Sequence, residues 1–83
     1  MSNRTSFKNC NIEVYGREEC GYTQKAISLL KQKNKKFIFE NVNNLPLIKK
    51  QLVPSYHKTV PIIFICGDFI GGYSELNQKI IDE

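Results

Sequence analysis

The stretch Thr59-Val60-Pro61-Ile62-Ile63-Phe64-Ile65-Cys66-Gly67-Asp68-Phe69-Ile70-Gly71-Gly72-Tyr73 decides the architecture. Its apolar, β-branched run from Ile62 to Cys66 reads as a strand. Gly67 and Asp68 interrupt the run and Phe69 and Ile70 resume it, so the pattern predicts a hairpin closed by a Gly-Asp turn. Gly71 and Gly72 end the hairpin. Tyr73 to Ile81 then carries Leu76, Ile80 and Ile81 on one side of a helix, with Ser74 placed to cap its start.

Upstream, the signals alternate in type. Leu45, Ile48 and Leu52 have helical spacing between Pro46, a tolerated first-turn residue, and Pro54. Phe37 to Val42 is a second β-rich run. Tyr22, Ala26, Ile27, Leu29 and Leu30 form a helical stripe that should end near Lys33 to Lys36, where Asn34 breaks the pattern. Ile12 to Tyr15 is a short strand closed by Gly16. Residues 1–10 are polar and aperiodic and read as a loose tail. The resulting order, βαβαββα, predicts an α/β domain: a mixed four-stranded sheet flanked by three helices, since helical crossovers join parallel strands and two-residue turns join antiparallel ones.

Composition limits the alternatives. Eighty-three residues, 41% hydrophobic and 24% charged, suit one soluble globular domain over 1–83. No apolar run approaches the roughly 20 residues that span a bilayer. No secretory pattern opens the chain, so a cytoplasmic location and no membrane partner are expected. The net charge of +4 owes much to Lys31, Lys33, Lys35 and Lys36. Such a cluster at a helix C-terminus complements the macrodipole, and it lacks the interleaved aromatics of a nucleic-acid surface, so no nucleic-acid partner is expected.

The chemistry rests on cysteine. Cys10, Cys20 and Cys66 are too few and too oddly numbered for a disulfide framework, no pair has C-x-x-C spacing, and His57 is the sole histidine, so no metal site is expected. Cys10 reads as an incidental thiol, Cys66 as a buried strand residue, and His57 as a surface loop residue. Cys20 differs because it stands between the first strand and the first helix. There, unpaired N–H groups and the dipole favour thiolate over thiol. Glu18 and Glu19 oppose this and Arg17 assists it. Two roles stand open for Thr23, one turn on: a hydroxyl donating to the Cys20 thiolate, or a helix-start residue.

Three motifs, Cys20-Gly21-Tyr22-Thr23, Thr59-Val60-Pro61 and Ile70-Gly71-Gly72-Tyr73-Ser74-Glu75-Leu76, together resemble the glutaredoxins of the thioredoxin fold, across Ile12 to Ile81. The resemblance makes Cys20 the nucleophile and Thr23 the occupant of the place where dithiol members carry a second cysteine, so the site looks monothiol. It makes Pro61 a cis-proline facing Cys20, with Thr59 and Val60 beside it, the Val60 backbone pairing with extended glutathione. It sets Gly72, Tyr73 and Ser74 against the γ-glutamyl carboxylate and Arg17 against the glycyl carboxylate, while Tyr22 either walls the groove or packs into the core. The family often has aspartate where Ser74-Glu75 stands here.

The implied reaction is reduction of glutathione mixed disulfides, in glutathionylated proteins or small molecules, by a monomer with glutathione as co-substrate. The alternative implied by the resemblance is a [2Fe–2S] cluster module, a dimer in which each Cys20 and two glutathiones ligate the iron, helped by glycine rather than proline after the cysteine. The four residues between Tyr15 and Cys20 argue against it, since cluster-carrying members usually have an insertion there.

Overall fold

The computed structural model describes residues 10–82, the Asp82 side chain excepted; the tail expected over residues 1–10 therefore lies, apart from Cys10, outside the described residues. The order is β1 (Ile12–Gly16), α1 (Gly21–Gln32), β2 (Ile38–Asn41), α2 (Leu47–Lys50), β3 (Ile62–Ile65), β4 (Asp68–Gly71) and α3 (Tyr73–Asp82). The strands lie in the order β2-β1-β3-β4. Because α1 crosses over, β1 and β2 run parallel; β3 is antiparallel to both β1 and β4. The expected mixed four-stranded sheet with three helices is the fold observed. Among the described residues no helix is long and apolar enough to cross a membrane.

Strand alternation builds two cores. Ile12, Val14, Ile63 and Ile65 face Ala26 and Leu30 of α1 and Leu76 and Ile80 of α3. Tyr15, Ile62 and Phe64 face the other way, against Val42, Leu45, Val53 and Phe69. β3 lies between both layers, which is why all four of its residues are buried. At its C-terminus α1 stops where Asn34 turns left-handed (φ 58°). Asn34 N–H then bonds Lys31 O and Lys35 N–H bonds Leu30 O, satisfying two terminal carbonyls.

Several expectations need correction. β2 begins at Ile38 and ends at Asn41, whose side chain accepts from Asn43 N–H and starts a 3-10 turn over Val42–Asn44. α2 is a single turn rather than a helix running to Leu52. Its apolar stripe is not its buried face: Ile48 and Leu52 are exposed, and Lys49 reaches inward to pair with Glu13 and lie over the Phe64 ring at 5.4 Å. A helix that buries no stripe gains little from further turns.

The hairpin turn is Cys66-Gly67, one residue earlier than expected. Both residues have positive φ, 58° and 83°, as a two-residue turn matched to the strand twist requires. Asp68 pairs with Ile65 as the first residue of β4. Cys66 is therefore exposed, not a buried strand residue, and Cys10 is not an incidental thiol. The two form a disulfide with Cα atoms 4.9 Å apart, alongside a Cys66 N–H bond to Asn11 O. Odd cysteine count hid the pair, because one of the three belongs to the site. Lastly, Ser74 does not cap α3. Gly72 precedes the helix, its carbonyl accepting from Leu76 N–H and its N–H donating to Glu75 Oε1 at 2.8 Å, which is the acidic half of a capping box.

Candidate functional site

β1 ends at Gly16, and a turn closed by Cys20 N–H on Arg17 O brings the chain round to α1. Cys20 occupies the N-cap position with extended backbone, and its side chain makes no capping bond there. As a thiol its Sγ donates to Val60 O at 3.8 Å, across the end of the sheet. The Val60–Pro61 peptide is cis, as the resemblance implied. Cys20 is the one free cysteine among the described residues.

The helix start decides the ionisation of Cys20. Its pKa lies below the ordinary thiol value, drawn down first by the backbone N–H of Thr23, then by the Thr23 hydroxyl, with the N–H of Tyr22 adding to them; partial burial and the Glu19 carboxylate oppose the shift. The competition that the flanking charges left open is thus settled by backbone donors. Thr23 itself is fully buried, and its Oγ1 forms no hydrogen bond of ordinary geometry within the chain. It is packed against Gly16, where an added Cβ would collide with Oγ1. A buried hydroxyl without a neutral partner is suited to donate to the thiolate once Cys20 ionises.

Beside Cys20 a cleft of about 310 Å³ is lined by Tyr22, His57, Thr59, Val60, Pro61, Gly72, Tyr73, Ser74 and Glu75. That is a volume at the lower end of those that hold small molecules. Seven of the residues singled out in the sequence thus meet there. Tyr22 is half exposed and faces Tyr73 with ring centroids 6.2 Å apart, so it walls the cleft and does not pack into the core. Lys25 Nζ lies over both rings, at 5.2 and 5.9 Å. Gly71, at φ 126°, brings β4 into α3 where a Cβ would meet Glu75 Cγ at 2.6 Å. Arg17 stands apart from this group. It lines a second cleft of about 470 Å³ with Asn43, Lys50, Ser55 and Ile62, and His57 borders both clefts.

His57, expected as a surface loop residue, and Glu75, noted only where the family often has aspartate, both stand at the site. His57 is half-buried, its Nε2 3.3 Å from Pro61 O and its ring 5.1 Å from that of Phe69. No sequence signal announces this, since Phe69 reaches it only through the hairpin. Glu75 had a signal, an acid three residues after a potential cap at Gly72. A larger hollow of about 700 Å³ lies at the far end of β1, beside the Cys10 disulfide, and holds none of these groups.

Proteins in which a thiol at the head of the first crossover helix meets a cis-proline across the sheet end form the thioredoxin-like class, and this fold falls within it. The sequence model described as glutaredoxin matches residues 12–70. A protein of Acanthamoeba polyphaga mimivirus described as a probable glutaredoxin is 40% identical over 74 residues, covering 75% of this chain and 70% of that protein. Glutaredoxin 1 of Francisella tularensis complexed with cacodylate superposes with a TM-score of 0.67 at 26% identity, over 89% of this chain and 99% of that one. A buckwheat glutaredoxin–glutathione complex, 24% identical, shares the fold with a TM-score of 0.70 over 92% of this chain and 73% of that one. The chain belongs to the glutaredoxin family, thiol oxidoreductases that act with glutathione.

Proposed function

We propose that this chain reduces glutathione mixed disulfides by a monothiol mechanism through Cys20. The observation that carries the reading is a cysteine with lowered pKa whose neighbour one turn on is threonine, while the other two cysteines are bonded to each other beyond the opposite end of β1. The Cys20 thiolate attacks the glutathione sulfur of the mixed disulfide; the S–S bond breaks, the substrate leaves as thiolate and takes a proton, and Cys20 becomes glutathionylated. A second glutathione thiolate attacks that adduct, releasing glutathione disulfide and restoring Cys20. One protein thiol suffices for the cycle.

Glutathione fits the cleft by the following assignment. The Val60 backbone pairs with its cysteine, flanked by Thr59 and Pro61. The N–H groups of Tyr73 and Ser74, behind Gly72, take the γ-glutamyl carboxylate at the start of α3. Tyr22 walls the groove, and Arg17 takes the glycyl carboxylate from the adjoining cleft. Thr23 steadies the thiolate. The substrates are glutathionylated proteins or small mixed disulfides, the working protein is a monomer, and the compartment is one rich in reduced glutathione, such as the cytoplasm.

Gly21 supports a second reading. It is exposed, and a Cβ added there would meet nothing within 4 Å, so the space beside Cys20 admits a bulky group. There a [2Fe–2S] cluster would be held in a dimer by two Cys20 thiolates and two glutathiones. Within one protomer no group of three metal-ligating side chains occurs among the described residues, so this reading draws the remaining ligands from glutathione and a second copy.

One experiment separates the readings. Wild type and Cys20→Ser are assayed for glutathione-dependent reduction of a small mixed disulfide, beside an anaerobic absorbance spectrum. The first reading expects activity in wild type that falls at least about a hundredfold in the variant; activity surviving the substitution sinks it. Visible absorbance lost with the same substitution supports the cluster.

A further inference from the structure

We propose that the segment Leu47–Tyr56 is a docking surface for polypeptide substrates whose apolar side chains are flanked by acidic ones, presenting a glutathionylated cysteine to Cys20; this rests on the monothiol reading above. Scattered exposed hydrophobics need no explanation, but a concentration of them does. Seven large apolar side chains are markedly exposed among the described residues, and four fall within ten positions: Leu47 at 70%, Ile48 at 72%, Leu52 at 52% and Tyr56 at 80%. Ile48 and Leu52 lie four residues apart, on one side of the α2 turn and its continuation.

Their exposure is held in place. Lys49 points the other way, paired with Glu13 and stacked on Phe64, so rolling α2 to bury Ile48 and Leu52 would pull Lys49 from both partners. The segment itself carries one sign of charge, the acids of neighbouring strands being engaged, Glu13 by Lys49 and Glu40 by Asn44. From Asn41 to Gly67 the chain has no aspartate or glutamate, whereas Lys50 and Lys58 are exposed within it. An acidic partner is attracted and a basic one repelled. The surface also opens towards the chemistry: Lys50 borders the cleft that holds Arg17 and His57, and His57 borders the cleft beside Cys20. A lipid surface would use apolar and basic groups too, but a one-turn helix with two exposed lysines nearby is far smaller than the amphipathic helices that lie in membrane interfaces.

The test uses the full chain, two peptides and one small substrate. The peptides share a central residue, one with leucines flanked by glutamates and the other with lysines in place of the glutamates. Binding is first measured with serine at the centre, so no chemistry is involved. The acidic peptide is expected to bind about tenfold more tightly than the basic one, and the Ile48→Glu/Leu52→Glu variant to abolish the difference. With glutathionylated cysteine at the centre, the variant should raise KM for the acidic peptide about tenfold while leaving kcat and KM for a small mixed disulfide unchanged. Equal binding of the two peptides, or a variant that binds as wild type does, overturns the docking surface. So does binding to phosphatidylserine vesicles that the variant loses while its peptide binding stays intact. Failure of the small disulfide to turn over strikes at Cys20 chemistry and leaves the binding result to judge the surface.

Discussion

Thr23 holds a buried hydroxyl that the folded chain leaves without a neutral partner, and such a group lowers stability by about 1–3 kcal/mol. Its value lies in the ionised state of Cys20, whose pKa it helps to lower. Thr23→Val keeps the shape and removes the hydroxyl. We expect thermal unfolding to move up by the equivalent of about 1 kcal/mol and the alkylation rate of Cys20 at neutral pH to drop several-fold, opposite signs in two measurements. A purely structural Thr23 would leave the alkylation rate alone. The pH dependence follows from the same shift. Because the folded pKa is depressed, ionisation of Cys20 favours folding: this contribution is full above the ordinary thiol value of about 8.5 and is lost as pH falls through the folded value. The alkylation midpoint of the native protein should lie below that of the same chain in denaturant, and coincident midpoints would refute the lowered pKa. At this scale the lowered pKa of Cys20 was legible because a helix start is a local feature. The Thr23–Gly16 contact was not, since it joins α1 to the end of β1.

Elements meet at two junctions that depend on backbone geometry. Gly71 links β4 to α3 at a φ of 126°, where a methyl group would strike Glu75 and dislodge it from Gly72 N–H. Gly71→Ala should cost more than about 1 kcal/mol and raise KM for glutathione, checked by thermal unfolding and steady-state kinetics. Cys66 occupies the hairpin turn and is bonded to Cys10, 56 positions away. In the chain-entropy account, closing a loop of that length stabilises the fold by up to about 4 kcal/mol. Reduction, or Cys10→Ser with Cys66→Gly, should therefore lower the urea midpoint while Cys20 chemistry persists in the folded fraction; an unchanged midpoint would show the bond to be idle. Neither the turn position nor the bond was readable in advance. A Gly-Asp and a Cys-Gly turn differ by one residue, and the choice is made by pairing Asp68 with Ile65. Likewise the helical spacing of Leu45, Ile48 and Leu52 overstated α2, because an ion pair and a cation–π contact, not an apolar face, dock that turn.

Across the whole molecule, β1 separates two sulfur centres. Cys10 precedes the strand and Cys20 follows it, and five residues of strand set roughly 16 Å between their ends. Exchange within one chain is thereby prevented. Mass spectrometry after alkylation of the native, unreduced protein should find one modified cysteine, at Cys20, and three after reduction in denaturant; scrambled adducts would contradict the separation. The strand and helix order, the parallel pairing of β1 with β2, the antiparallel hairpin of β3 and β4 and the lowered pKa of Cys20 were determined by the sequence alone, since periodicity, turn residues and the helix-start position act over a few neighbours; the Thr59–Pro61 and Gly71–Ser74 stretches stood out only by resemblance to a family. Only the tertiary structure decided that Cys10 meets Cys66, that His57 joins two clefts, that Lys49 turns inward while Ile48 and Leu52 face solvent, and that Thr23 closes on Gly16. Each of these unites residues distant in the chain, and the energy that selects them comes from contacts that exist only once the sheet has assembled.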